Sequence, residues 1–108
     1  MEIRFHPLAR SEFDALDARE RQAMRNALDK LSLLGREITF PHASKVVGAD
    51  RLWELRPRAG RSRFRAFYRP TPDGILVAAM APEFHVDPRG FRRAARLAEA
   101  RLAEEGGL

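Results

Sequence analysis

Apolar and charged side chains alternate at the start of the chain, Met1-Glu2-Ile3-Arg4-Phe5, which predicts a short strand with Ile3 and Phe5 on one face. Pro7 stops that strand and can open a helix, where its missing N–H is no loss. Leu8, Phe13 and Leu16 follow at helical spacing. Asp17 with Glu20 three residues on is a capping-box pattern, so a second helix is predicted to begin there. Met24, Ala27, Leu28, Leu31 and Leu34 make its apolar stripe, Arg19, Arg21, Arg25 and Lys30 lie mostly off it, and Gly35 ends it.

Residues 36–51 hold Pro41 and Gly48 and keep no period, which predicts a loop with a short extended piece at 38–40. Three strand-like runs follow at 52–58, 63–69 and 75–81. Gly60 lies in the first gap and Pro70-Thr71-Pro72-Asp73-Gly74 in the second, so both read as turns of a meander. Asp87-Pro88 is an N-cap with proline at the first helical position, and Phe91, Ala94, Ala95, Ala98 and Leu102 continue as a helical stripe before a Gly106-Gly107 tail expected to fray. The order β, α, α, β, β, β, α predicts an α+β domain whose N-terminal helices cover one sheet face and leave the other partly open.

At 108 residues the chain suits one domain, since two cores would each be too small to offset chain entropy. The 44% of hydrophobic residues suffices for an ordinary interior, and no apolar run approaches the roughly 18 residues of a membrane span. Without cysteine, disulfides and thiolate metal sites are excluded. No secretory leader is visible at the N-terminus, so a cytoplasmic location is the default expectation.

A net charge of +5 favours a polyanionic partner through counterion release, nucleic acid before membrane surface. Only Lys30 and Lys45 are lysines, an imbalance that a GC-rich genome explains without function. Placement is more informative: Arg51, Arg56, Arg58, Arg61, Arg63, Arg65 and Arg69 crowd a stretch that otherwise reads as strand. By strand alternation Trp53 and Leu55 point one way and Glu54, Arg56 and Arg58 the other; Phe64, Ala66 and Tyr68 oppose Arg63, Arg65 and Phe67. The expectation is a basic open face with one carboxylate inside it. Arginine suits phosphate through its planar fork, and Phe67, Tyr68 or Phe84 is available to stack an unpaired base, although core packing explains an aromatic equally simply.

Metal chemistry has little support, because His6, His42 and His85 lack ligand spacing and no acidic cluster is present; no cofactor is expected. No nucleophile elbow or phosphate-binding glycine loop occurs. RNA cleavage by such a chain would use the 2′-hydroxyl as nucleophile, with a base, an acid and cations supplied by the protein. Glu54 is a candidate proton carrier, its alternative being an ion pair with Arg56 or Arg65. His85, in the loop after the last strand, carries an imidazole suited to proton transfer and is a candidate general acid, its alternative being a solvated loop histidine.

The runs Leu52-Trp53-Glu54-Leu55-Arg56, Arg63-Phe64-Arg65-Ala66-Phe67-Tyr68 and Ile75-Leu76-Val77, followed by a terminal helix, resemble the RelE/HigB superfamily, particularly its phage-derived HigB-like branch. The likeness runs over nearly the whole chain, 1–108, as one domain. It implies the RelE-like microbial RNase fold, an antiparallel sheet with two N-terminal helices on one face and a C-terminal helix. It also implies ribosome-dependent mRNA cleavage as the activity of a toxin–antitoxin toxin, with a cognate antitoxin, often a helix-turn-helix protein, as partner beside the ribosome and mRNA. Arg65 falls on the family's phosphate-stabilising arginine, Glu54 and Arg56 on its polar positions in the preceding strand, and His85 where many relatives place catalytic groups, while Arg58, Arg63, Phe67 and Tyr68 are RNA-binding candidates from the residues themselves. Relatives usually carry a lysine pair after the phenylalanine corresponding to Phe84; this chain has His85 and Val86. ParE-like proteins share the fold yet bind DNA gyrase without catalysis, and a bare nucleic-acid-binding module is the other alternative.

Overall fold

The computed structural model describes residues 1–106, and the rest of the glycine tail, from Gly107, lies outside them. Strand β1 (Glu2–Phe5) leads into helix α1 (Pro7–Asp14). His6 caps this helix, its Nδ1 accepting from the Leu8 N–H at 3.1 Å, and Pro7 takes the first turn. Helix α2 (Ala18–Leu34) starts at the Asp17 cap, which accepts from the Glu20 N–H at 2.9 Å, and Gly35 closes it at φ +55°, a conformation glycine adopts without steric penalty.

Strands β2 (Ala43–Lys45), β3 (Trp53–Leu55), β4 (Phe64–Thr71) and β5 (Gly74–Pro82) precede helix α3 (Pro88–Gly106). The extended piece expected at 38–40 is instead at Ala43–Lys45, where antiparallel pairing with Trp53–Leu55 supplies its backbone partners. The run expected at 52–58 is shorter, because Pro57 turns the chain into a 3₁₀ turn, Pro57–Gly60. The sheet order is β1-β5-β4-β3-β2. It is antiparallel except that β1 lies parallel to β5, so the fully antiparallel expectation is corrected at that edge.

Both sheet faces are covered. Ala9 and Phe13 of α1 and Met24, Leu28 and Leu31 of α2 pack on Leu55, Ala66, Tyr68, Ile75 and Val77. Phe91, Ala94, Ala95, Ala98 and Leu102 of α3 pack on Phe67, Leu76, Ala78, Ala79 and Ala81. The open face expected from the order of elements is therefore largely occupied by α3, whose apolar stripe has to be buried somewhere. The alternation expected in β4 holds, since the irregularity falls in β5. Phe67 pairs with Ala79 while Tyr68 pairs with Val77, which leaves Ala78 as the extra residue of a bulge and puts Ala78 and Ala79 on one face.

The edge of β5 is completed by side chains. Strand β1 pairs only as far as Val77, whose carbonyl accepts from the His6 N–H at 2.9 Å. Beyond it, Arg101 Nη1 donates to the Ala78 carbonyl at 3.0 Å and the Met80 N–H donates to Glu12 Oε1 at 3.0 Å. Arg101 and Glu12 also meet in a fork at 2.8 and 3.1 Å, which joins α1 to α3 around that edge. No helix among the described residues is long and apolar enough to cross a membrane.

Candidate nucleic-acid interface

Glu54 stands in the middle of β3, opposite Ser44 of β2 and Phe67 of β4. Strand alternation turns it away from Trp53 and Leu55, which face the α1–α2 core. Its Oε1 lies 3.4 Å from Arg56 Nη1 and 3.9 Å from Arg65 Nε. The carboxylate is 12% exposed and forms part of the wall of a groove of about 350 Å³ with Lys45, Val47, Phe84 and Arg92. Burial raises its pKa above the ordinary value of 4.5, and the charges of Arg56 and Arg65 oppose that rise without overcoming it. The Arg65 pKa is lowered, again chiefly by burial and next by the like charge of Arg56. Both members of the pair thus shift in the direction that disfavours charge, so desolvation outweighs their attraction.

The basic face expected from the arginine cluster is divided. Arg65 is 2% exposed and points into the interior, where its Nη1 donates to the Ser62 and Phe64 carbonyls, both at 2.9 Å. No phosphate reaches it in this conformation. Its accessible relation to the groove runs through Glu54. Arg56 is more open at 27% and stands between Glu54 and the ring of Phe40, 5.2 Å from its guanidinium carbon. Arg58 has left the strand in the 3₁₀ turn, and Arg63 is exposed just before β4 begins, so neither joins Glu54. Arg69 is spent on the Arg51 and Asp50 carbonyls, each at 2.8 Å.

Phe67 and Tyr68 are corrected as base-stacking candidates. They are 0% and 2% exposed, in the α3 and α1–α2 cores respectively, because both sheet faces are covered. Of the three stacking candidates the accessible one is Phe84, 37% exposed, which packs edge-on against Phe91 at 5.5 Å while the Arg92 guanidinium carbon lies 5.1 Å from its ring centre. His85 is exposed in the turn before α3, its N–H donating to Glu83 Oε1 at 3.0 Å and its ring 5.8 Å from that of Phe84. That turn ends where Asp87 accepts from the Gly90 N–H at 2.9 Å, the helix cap expected from sequence.

Lys45, Ser44 and Arg92 were not singled out by pattern. Lys45 and Ser44 lie in a segment without period, and Arg92 sits on the polar side of a helix whose packing partner only the sheet specifies. Among the described residues no three His, Asp or Glu side chains stand close enough to hold a metal ion.

The geometry has counterparts. The chain is similar to a chain of a RelB–RelE antitoxin–toxin complex from Methanococcus jannaschii, with a TM-score of 0.59 at 8% identity over 79% of this chain and 95% of that one. It is similar to an arginine double mutant of E. coli toxin RelE in the free state, with a TM-score of 0.60 at 16% identity over 87% and 92%. The isolated E. coli RelE toxin gives 0.59 at 17% over 84% and 95%. At these identities the likeness establishes the fold, which is that of RelE toxins. No curated protein sequence matches the chain. The family model described as phage-derived protein Gp49-like matches residues 11–81, from α1 through most of β5. That match spans well over half of the 108 residues, and the chain belongs to the Gp49-like phage-derived family, a family of RelE-like toxins.

Proposed function

We propose that the protein is the toxin of a toxin–antitoxin pair and cleaves mRNA on the ribosome without a metal, its partner being a cognate antitoxin of helix-turn-helix type. The observation that carries this reading is Glu54. It is a largely buried carboxylate with a raised pKa in the wall of an open groove, with Arg56 at 3.4 Å and two further cations, Lys45 and Arg92, on the groove lining.

In the proposed reaction the RNA backbone lies along the groove. Glu54 takes the proton of a 2′-hydroxyl, and that oxygen attacks the adjacent phosphorus. Arg56 offers N–H donors to the charge gathering on the phosphorane, and Lys45 and Arg92 hold the flanking phosphates. Arg65 acts through Glu54: it fixes the carboxylate from below and limits how far burial raises its pKa. The P–O5′ bond breaks and the leaving oxygen takes a proton from His85, giving a 2′,3′-cyclic phosphate and a 5′-hydroxyl end. Phe84 stacks a base beside the scissile bond, with Arg92 bracing its ring.

The test is single-turnover cleavage of mRNA on programmed ribosomes, with affinity measured separately at fixed salt. Glu54→Gln is expected to slow cleavage by roughly 10²- to 10⁴-fold and to leave affinity nearly unchanged, since phosphate contacts dominate binding. His85→Gln should show the same separation of chemistry from binding. Small, equal effects from both variants would remove the acid–base scheme and leave only the cationic groove.

A further inference from the structure

A second cleft lies on the other side of Arg56, between α2 and the segment that carries β3 into its 3₁₀ turn. It has a volume of about 270 Å³. Ala27, Ile38 and Leu55 supply apolar walls, and Asn26 adds an amide that can both donate and accept. The charged residues that line it, Lys30, Arg56 and Arg58, are all cations, and among the described residues no Asp or Glu lines it. An apolar slot with a cationic rim suits a flat aromatic group that carries negative charge outside the slot.

Three observations point to a ligand here. Phe40, at the side of Arg56, is 69% exposed, an arrangement that leaves most of a large apolar ring in water. Arg56 Nε is buried and finds no hydrogen-bond partner among the described residues, although buried donors are nearly always paired. Arg58 holds the left-handed conformation at φ +55°, where glycine is the unstrained choice, and its side chain lines the cleft.

We infer that this cleft binds one nucleotide of a single-stranded RNA, with its base between Ala27 and Leu55 and its phosphates on Arg56, Arg58 and Lys30. The occupant is settled by continuity. Arg56 contacts Glu54 at 3.4 Å on one side and lines the cleft on the other, so a strand whose scissile phosphate lies at Glu54 passes over Phe40 and Arg56 into the cleft. Asn26 then faces the edge of the inserted base, which makes it a residue for base preference. The inference rests on the ribonuclease reading for the position of the scissile phosphate.

The experiment measures fluorescence anisotropy of 5′-fluorescein 2′-O-methyl RNA, which cannot be cleaved, as a dinucleotide and as a hexamer, on the full chain at fixed salt. The wild-type protein should bind the hexamer at least tenfold more tightly than the dinucleotide. Phe40→Ala and Ala27→Leu should each lower hexamer affinity by about tenfold, as loss of a base stack does. Phe40 is exposed, so its removal leaves the core intact even if leucine at 27 disturbs packing. Hexamer affinity within twofold of wild type for both variants overturns the proposal. So does displacement of the hexamer from wild type, but not from Phe40→Ala, by an alternating leucine–glutamate peptide that itself binds more tightly than RNA, since the cleft would then be a protein-docking site. Phe40-sensitive binding without any ribosomal cleavage keeps the cleft while removing the ribonuclease reading; cleavage with Phe40-insensitive binding does the reverse.

Discussion

Glu54 and Tyr68 show how burial on the two faces of one sheet has different consequences for acids. The Glu54 carboxyl has a raised pKa, so the folded protein prefers its protonated form more than the unfolded chain does. Its contribution to stability is therefore fully present below the ordinary value of 4.5 and is lost as pH rises through the raised value. Glu54→Gln retains an oxygen that can accept from Arg56 and removes the charge. It should be more stable than wild type at neutral pH, with the difference shrinking in acid, as denaturant titrations at several pH values would reveal. A gap that widened in acid would contradict this assignment. The same raised pKa places the acid limb of cleavage above the ordinary carboxyl range, and that limb should vanish in Glu54→Gln.

Tyr68 has no proposed chemistry. Its hydroxyl is pushed up to about 12 by burial, while the unfolded chain ionises near 10.0. The neutral phenol thus stabilises the fold fully below pH 10.0, and roughly 2–3 kcal/mol of that is lost as pH rises to about 12. Comparison of wild type with Tyr68→Phe isolates this component, because phenylalanine does not ionise. If the two lose stability in parallel between those pH values, the buried phenol is not the cause.

At the scale of elements, the Arg101–Glu12 fork ties α1 and α3 to the edge of the sheet. It closes the β5 edge where β1 ends, and both side chains also bond backbone atoms of that strand. Removing one partner leaves a mostly buried charge and an unpaired backbone group, which costs about 3–5 kcal/mol. Arg101→Leu or Glu12→Leu should lower stability by that order, and the double variant should cost less than the two singles added together. Strict additivity in a double-mutant cycle would mean the fork is not a coupled unit. None of this was readable from spacing: Glu12 and Arg101 lie 89 positions apart on helices whose polar residues look alike.

Among the concave surfaces of the molecule, the groove at Glu54 and the cleft at α2 are linked by Arg56, which lines the cleft and contacts Glu54, on a chain of net charge +5. Such a surface without its antitoxin should be harmful to a bacterial cell. Induced expression of the chain alone is expected to arrest growth and translation, and Glu54→Gln should relieve the arrest. Soluble accumulation with unimpaired growth would count against an active toxin. Arrest that survives Glu54→Gln, with mRNA intact, would point to a non-catalytic toxin.

Local signals were enough for the helices and most strands, because the information is carried by near neighbours. The Asp17 and Asp87 caps, Pro7, Gly35 and the apolar stripes act within a turn or two and specified α1, α2 and α3 closely. The alternation in β3 and β4 likewise put Glu54 and Arg65 on one side of the sheet and Trp53, Leu55 and Tyr68 on the other. What alternation cannot say is what covers each face. Only the tertiary packing decided that α3 buries Phe67 and that Arg65 is shut away from solvent. The parallel edge pairing of β1 and the bulge at Ala78 are likewise long-range choices of register and partner. The sequence by itself determined the elements and the charge that suits an RNA partner. The assembly of Lys45, Glu54, Phe84 and Arg92 into one groove was decided by the tertiary structure, because solvent access depends on every layer packed above a residue and not on its own neighbours in the chain.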